Sequence, residues 1–175
     1  MLLNILIDGL FAYSAQVPHP ATPQQFEGRR SSYVQGTLNV AAGERATLRR
    51  NADGTYDLVR VDRIEVRDVL PPAEGSRDHP NGAEAGTLRF GLHMRQDVGS
   101  LLKVENGQDQ GLQYAGFIVR YVGGHAREPD ATSVCTVPPG MVNFEHWPEP
   151  VIQVVIGSLA RSDDAVPSCP SHVEP

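Results

Sequence analysis

The stretch Thr87-Leu-Arg-Phe-Gly-Leu-His-Met-Arg95 decides the fold class, because its side chains alternate strictly between apolar and polar. One parity carries four large apolar residues: Leu88, Phe90, Leu92 and Met94. The other parity carries three basic or titratable residues: Arg89, His93 and Arg95. Successive side chains of a β-strand point to opposite faces of its sheet, so the pattern predicts a half-buried strand.

The rest of the chain consists mainly of short apolar segments separated by turn-forming residues. We predict further strands at 2–7, 10–13, 33–40, 46–50, 55–61, 64–69, 112–122, 134–137, 141–147 and 151–156. Asp8-Gly9 and the segment 51–54 have turn chemistry and join two pairs of these strands into hairpins. Helical periodicity is never sustained for three turns, and 97–104 is the one short helix that we expect. The prediction is an all-β, antiparallel two-sheet sandwich of jelly-roll or Greek-key type.

Three details of the strands carry more specific expectations. The segment 151–156 is an unbroken apolar run, which is typical of a central strand covered on both faces. The apolar parity shifts between Val61 and Ile64, and again at Ala115-Gly116. A parity shift inside a strand is what a β-bulge produces, so we expect irregular pairing at both positions.

The length of 175 residues predicts one domain with a sizeable core, which needs neither a metal nor a disulfide for stability. We assign this domain to residues 1–161 and include in it an extended, proline-bearing arm at 15–31. Residues 162–175 form a polar, proline-containing tail, too polar to fold without a surface to dock on.

The two cysteines, Cys135 and Cys169, are too few and too far apart for a zinc module. They either form one disulfide that pins the tail or remain free thiols. Nothing else in the sequence points outside the cell, so we expect free thiols in a reducing compartment.

The charge balance and the first residues bear on partners and location. The formal net charge is −6 and the isoelectric point is near 5.4, which argues against a nucleic-acid partner. The first apolar run has no basic leader and is interrupted by Asn4 and Asp8, so we expect neither a signal peptide nor a transmembrane segment. The expected location is the cytoplasm or a virion, without membrane contact.

Catalytic motifs are weak throughout. Asp8 follows an apolar strand, as metal ligands and nucleophiles do in some α/β folds, but the helices of such folds are missing, so we interpret it as a turn residue. Gly157-Ser158 lacks the second glycine of a nucleophile elbow. The six histidines are widely spaced and contain no His-x-His pair. We therefore expect no metal, no cofactor and no catalytic residue, although enzymatic activity stays open.

Two candidate binding features remain. Arg89 and Arg95 flank His93 on the polar face of its strand, where neighbouring cations lower the pKa of the imidazole and suit an anion-binding patch. The alternative is an ordinary solvated face. Trp147 lies beside a proline turn and is either a contact residue for a sugar or protein, or a plug at the edge of the core.

These observations favour a non-catalytic structural or accessory subunit of an ordered assembly, such as a decoration, capsid or tail component of a phage or virus particle. Its arm and tail would contact neighbouring subunits, so the partners are further copies of the chain or other particle proteins. The expected interface residues are Phe26, Trp147, Val166 and Val173. The alternative is a soluble β-sandwich ligand-binding module, or a small β-fold enzyme, with the loops 71–86 and 123–133 around a pocket.

Overall fold

The computed structural model describes residues 29–71, 82–95, 99–163 and 166–169. Within these residues the strands are β1 Ser32–Val34, β2 Thr37–Ala41, β3 Glu44–Arg50, β4 Tyr56–Arg63, β5 Thr87–Arg95, β6 Gly99–Asn106, β7 Gly111–Val122, β8 His125–Ala126, β9 Asp130–Thr132, β10 Val142–Trp147 and β11 Val151–Ser162. A short 3-10 helix, Val66–Asp68, follows β4. The described residues contain no α-helix, so the predicted all-β class is confirmed.

The strands form two antiparallel sheets. The first sheet has the order β1-β2-β11-β7-β8, with β9 also paired to β7, and the second has the order β10-β6-β5-β3-β4. Strand β2 packs over β3, and β11 packs over β5, so the sheets lie face to face. This arrangement confirms two packed antiparallel sheets, as the alternating sequence predicts.

Strand β5 lies inside the second sheet, between β3 and β6, and has the predicted bounds. Its four apolar side chains are all buried: Leu88, Phe90, Leu92 and Met94. Phe90 meets Tyr114 of β7 edge to face, with ring centroids 5.9 Å apart, and so joins the two sheets. The opposite parity faces outward and is half-buried rather than fully solvated.

Two other predictions hold in the described residues. Strands β3 and β4 form the predicted hairpin, and its turn is closed by a hydrogen bond from the Gly54 amide to the Asn51 carbonyl of 3.1 Å. Strand β11 is the predicted central strand, between β2 and β7. It continues to Ser162, past an irregularity between Gly157 and Ala160 where Ser158 has a φ of 51°.

The helix predicted at 97–104 is wrong, because Gly99–Asn106 forms strand β6 between β5 and β10. A short apolar run such as Leu101-Leu102-Lys103-Val104 fits a buried strand and a buried helix equally well in its pattern alone. The segment forms a strand because it pairs with β5 and β10, which are distant in sequence. It satisfies the backbone of this segment from both sides, while both faces of the strand are covered.

The strand predicted at 64–69 is also wrong. Strand β4 ends at Arg63, and the chain turns through the 3-10 helix. Ile64 and Val69 then pack with Leu101 in a small second apolar cluster on the outer face of the second sheet. Gly91 allows this approach, because a Cβ there would lie 3.2 Å from Ile64 Cδ1. The parity shift after Val61 therefore marks the end of a strand and not a bulge within it.

Three further segments differ from the prediction. The strand predicted at 33–40 is a β1–β2 hairpin, because Gln35 and Gly36 adopt positive φ angles of 50° and 80° in a tight turn. The segment 134–137 makes only an isolated bridge, through Val137 to Leu112. The bulge predicted at Ala115-Gly116 of β7 is absent, because the strand keeps its alternation there: Gly116 is buried and Phe117 is exposed on the other face. The irregular pairing between β7 and β11 lies on β11.

The expectation of free thiols is wrong, because Cys135 and Cys169 form a disulfide with their Cα atoms 4.1 Å apart. The segment after β9 and the end of the chain run side by side. The Thr136 amide donates to the Ser168 carbonyl over 2.8 Å, which brings the neighbouring cysteines within reach. Loop closure over 34 residues stabilises the folded chain by about 3–4 kcal/mol in the chain-entropy model.

Several predictions fall on residues outside the described part of the chain. These are the Asp8-Gly9 hairpin, the arm up to residue 28, most of the loop 71–86, the tail at 164–165 and 170–175, and the side chains of Phe26 and Val173. Among the described residues, no helix has the length and apolar character required to cross a lipid bilayer.

We predict that Phe90→Ala lowers the free energy of unfolding by about 3–5 kcal/mol, because it leaves a cavity in the fully buried core. Phe117→Ala is the matched control, since this phenylalanine is 38% exposed on β7 and its removal should cost about half as much or less. Urea unfolding followed by circular dichroism measures both values. Similar losses in the two variants would contradict the assignment of the inner face.

Candidate functional site

Polar side chains from four adjacent strands meet in one row on the outer face of the second sheet. Arg89 of β5 lies opposite Thr47 of β3 on one side and opposite Glu105 of β6 on the other. Thr47 in turn lies opposite Arg60 of the edge strand β4. Because every strand alternates with the same period, this register places the four side chains on the same face.

Glu105 is the buried centre of this row, with a side chain only 2% exposed. Arg89 Nε lies 3.3 Å from one carboxylate oxygen, and Lys103 Nζ lies 3.1 Å from the other. The Gly82 amide also donates to the carboxylate, over 2.9 Å. Two cations and a backbone donor thus replace the water that an ionised carboxylate loses on burial.

Arg89 is itself largely buried, and charges besides that of Glu105 act on it. Burial lowers the pKa of the guanidinium, the nearby Arg45 and Arg60 lower it as well, and Glu105 and Asp62 raise it. An arginine stays protonated at neutral pH despite such effects. Arg89 is therefore a buried cation with neighbouring charges of both signs.

A pocket of about 270 Å³ opens beside Arg89 on this face. We call it the arginine pocket and define it by the polar side chains among its lining residues: Thr47, Arg49, Arg60, Glu84, Thr87 and Arg89. Thr47 is only 6% exposed, and its Oγ1 has no hydrogen-bond partner. The pocket thus combines three guanidinium groups with a buried, unpaired hydroxyl.

A bulge in the β3–β4 hairpin helps to form the pocket. The pairing passes from Thr47 opposite Arg60 to Leu48 opposite Leu58, so Val59 has no direct partner on β3. A bulge bends its strand and changes the direction of the local side chains, and Val59 and Arg60 both line the pocket. The sequence predicts the hairpin but not its bulge, because the pairing register between β3 and β4 cannot be read from the sequence. The only available signal was the polar parity shared by β3 and β5.

The predicted anion patch of Arg89, His93 and Arg95 is divided along β5. Arg89 belongs to the arginine pocket, whereas His93 and Arg95 follow Gly91, which Ile64 and Val69 approach closely from outside. Burial lowers the pKa of His93, Arg95 lowers it further, and Asp68 opposes the change. The imidazole is thus neutral at pH 7. Arg89 shares the arginine pocket with Arg49 and Arg60 and not with His93 and Arg95.

The predicted interface residues occupy different environments. Trp147 is buried in the main core, and its Nε1 donates to Thr132 Oγ1 over 3.0 Å. Val166 is 68% exposed in the tail segment beside the disulfide. Phe26 and Val173 lie outside the described residues, and a contact role for all four side chains stays a prediction.

Glu145 and Tyr114 form a second group of titratable side chains, which lies between the sheets near the disulfide. Burial raises the pKa of Glu145, although the Cys135 amide at 3.2 Å and Asn143 Nδ2 at 2.7 Å donate to its carboxylate and oppose the rise. Burial also raises the pKa of Tyr114, and the charge of Glu145 adds to this effect. Glu145 thereby connects strand β10 to the backbone of the disulfide-bonded segment.

In the described ranges, no three His, Cys, Asp or Glu side chains are grouped closely enough to hold a metal ion. Comparisons with protein-family models, with curated proteins and with solved structures give no match for this chain. Function is therefore inferred from the geometry of the described residues.

We predict that Glu105→Gln lowers the free energy of unfolding by about 3 kcal/mol, because it leaves Arg89 and Lys103 without their buried counter-charge. Glu84→Gln is the control, since that carboxylate is 72% exposed and lies 3.7 Å from Arg49. Its loss should cost at most about 1 kcal/mol. Chemical denaturation at pH 7 distinguishes the two, and a Glu105→Gln loss as small as that of Glu84→Gln would refute the buried network.

We predict that Glu145→Gln stabilises the protein at pH 7 but not at pH 4. The folded-state pKa of Glu145 is raised above its ordinary value of 4.5, so ionisation destabilises the folded state as the pH rises through this region. Glutamine keeps the acceptor oxygen and removes the charge. The difference between variant and wild-type urea midpoints should therefore be positive at pH 7 and vanish at pH 4. An equal difference at both values would contradict the assignment.

Proposed function

We propose that this chain is a non-catalytic structural or accessory subunit of an ordered assembly, of the decoration, capsid or tail-component kind found in phage or virus particles. Its partners are neighbouring copies or other particle proteins, contacted through the arm 15–31 and the tail 162–175. The observation that carries the proposal is the covalent attachment of the tail to the body at Cys135 and Cys169.

The attachment is reinforced by hydrogen bonds on both sides of Ser168. Its carbonyl accepts from the Thr136 amide, and its own amide donates to Thr136 Oγ1 over 2.8 Å. Val166 lies just before this anchored point and is 68% exposed. An apolar side chain presented from a fixed segment suits contact with another protein, because little chain entropy is lost when the partner binds.

The edges of the two sheets add to this support. Strand β4 ends the second sheet and β1 ends the first, and these edge strands lie near each other. Val34, Val59 and Val61 are exposed on them. The backbone groups of an edge strand are a template for pairing with a further chain, which is a common basis of subunit contacts.

The disulfide bears on location. Disulfides persist in oxidising surroundings, which include the surfaces of virions, and are rare in a reducing cytoplasm. A particle component that functions outside a cell is consistent with this chemistry. We also propose a Greek-key type of topology, because β2 and β11 are neighbours although they lie far apart in the sequence.

The tail provides the decisive test. We predict that the purified full chain self-associates and that Val166→Asp reduces its association constant about tenfold or more, since one buried apolar side chain contributes about 1–2 kcal/mol. Val122→Asp is the control, because this valine is 46% exposed at the end of β7, away from the tail. Sedimentation equilibrium measures association, and circular dichroism verifies folding.

A chain that stays monomeric at every concentration would contradict contact between copies of the chain, and an association constant that Val166→Asp leaves unchanged would contradict the role of the tail. Either result would favour the second candidate, a soluble β-sandwich ligand-binding module. The specific observation in favour of that candidate is the arginine pocket with its unpaired Thr47 hydroxyl.

A further inference from the structure

We infer that the arginine pocket binds a phosphate-sized oxyanion between its guanidinium groups and the hydroxyl of Thr47. The inference does not depend on the proposed assembly role, because the pocket lies on the outer face of the second sheet and uses no residue of the tail.

The size of the pocket restricts the ligand. Sites for drug-sized molecules and cofactors have volumes of about 300–1,000 Å³. The arginine pocket measures about 270 Å³ and is lined mainly by polar side chains. It therefore has room for a phosphate-sized group, and its lining suits a polar ligand.

The charge around the pocket determines the sign of the ligand. Five cationic side chains meet four carboxylates on this face; the cations are Arg45, Arg49, Arg60, Arg89 and Lys103, and the carboxylates are Asp57, Asp62, Glu84 and Glu105. Two of these carboxylates are shared, since Asp62 contacts Arg45 and Arg60, and the buried Glu105 contacts Arg89 and Lys103. The positive excess favours an anion.

The arginines of the pocket differ in how closely a carboxylate holds them. Arg60 Nε lies 2.9 Å from Asp62, and Arg89 Nε lies 3.3 Å from Glu105. Arg49 is held more loosely, because its ion pair with the exposed Glu84 spans 3.7 Å and its neighbour in register, Asp57, is also exposed. Guanidinium donors that lack a close carboxylate remain available to a ligand, and their planar geometry matches the oxygens of a phosphate group.

Thr47 supplies an independent indication of a ligand. More than nine-tenths of this residue is buried, it lines the pocket, and its hydroxyl has no hydrogen-bond partner. A buried hydroxyl without a partner destabilises a fold, so such groups call for an explanation. Thr47 stands in register between Arg60 and Arg89, where a bound oxyanion would accept hydrogen bonds from all three.

Free phosphate and a phosphomonoester both present this group, and calorimetry can separate them. We predict saturable binding of inorganic phosphate or methyl phosphate to the full chain at low ionic strength. Affinity for inorganic phosphate alone identifies the free ion, and at least tenfold tighter binding of methyl phosphate identifies a phosphorylated molecule. Either result supports the site, and the absence of saturable binding of both probes would overturn it.

Five variants locate the site. Arg49→Gln and Arg60→Gln should each weaken binding about tenfold, and Arg63→Gln, on the same edge strand but outside the pocket, should leave it unchanged. Thr47→Val should also weaken binding about tenfold, while Thr47→Ser should restore it. Arg89 is left intact because it also neutralises Glu105.

Thermal melting separates binding from folding. Without phosphate, Thr47→Val should melt at a higher temperature than the wild type, because the unpaired hydroxyl is gone. At the same phosphate concentration, the wild type and Thr47→Ser should gain more stability than Thr47→Val, because tenfold weaker binding gives a smaller stabilisation. If Arg63→Gln weakened binding as much as Arg60→Gln, the attraction would be a general effect of charge, and the assigned site would be wrong.

Discussion

Burial of both faces of β5 is the constraint on which the rest of the structure depends. Its inner face supplies Phe90 and three other apolar side chains to the core, where the aromatic contact with Tyr114 joins the sheets. Its outer face cannot remain open, because the chain after β4 folds back over Gly91. A strand that is covered on both sides must satisfy any charge it carries with partners from neighbouring strands.

That requirement accounts for the charged row across the second sheet. Arg89 is largely buried, so Glu105 must lie opposite it, and Lys103 and the Gly82 amide complete the surroundings of the carboxylate. On the other side of Arg89 the same row leaves the hydroxyl of Thr47 unpaired. The buried network that holds Arg89 in place thus also fixes the geometry of the site that we propose for an anion.

The anchored tail and the arginine pocket are separate features. The tail is attached beside β9 and β10 through the disulfide, and the pocket lies towards the edge strand β4. A subunit of an assembly can therefore contact neighbours through the tail while the pocket stays accessible. The tail contact and the anion site therefore use different residues, although Val59 of the edge strand β4 is both an exposed edge residue and part of the pocket lining.

The strands with strong local patterns could be predicted from the sequence. The alternation of β5, the turn between β3 and β4 and the apolar run of β11 each depend on neighbouring residues alone, and each was identified correctly. The helix predicted over part of β6 was wrong, because a short apolar run has no distinctive period. The sequence does not show the end of β4 at Arg63 for a related reason. The apolar side chains of Ile64 and Val69 make a tertiary contact with Leu101, and a local pattern cannot distinguish this from strand pairing.

The amino-acid sequence by itself determined the all-β class, the face of β5 that enters the core and the polar character of the other face, because side-chain alternation is a local property. Only the tertiary structure decided the disulfide between Cys135 and Cys169 and the convergence of Arg49, Arg60 and Arg89 around Thr47. Both depend on register between segments distant in sequence, which is set by the packing of the two sheets and by the bulge in β4.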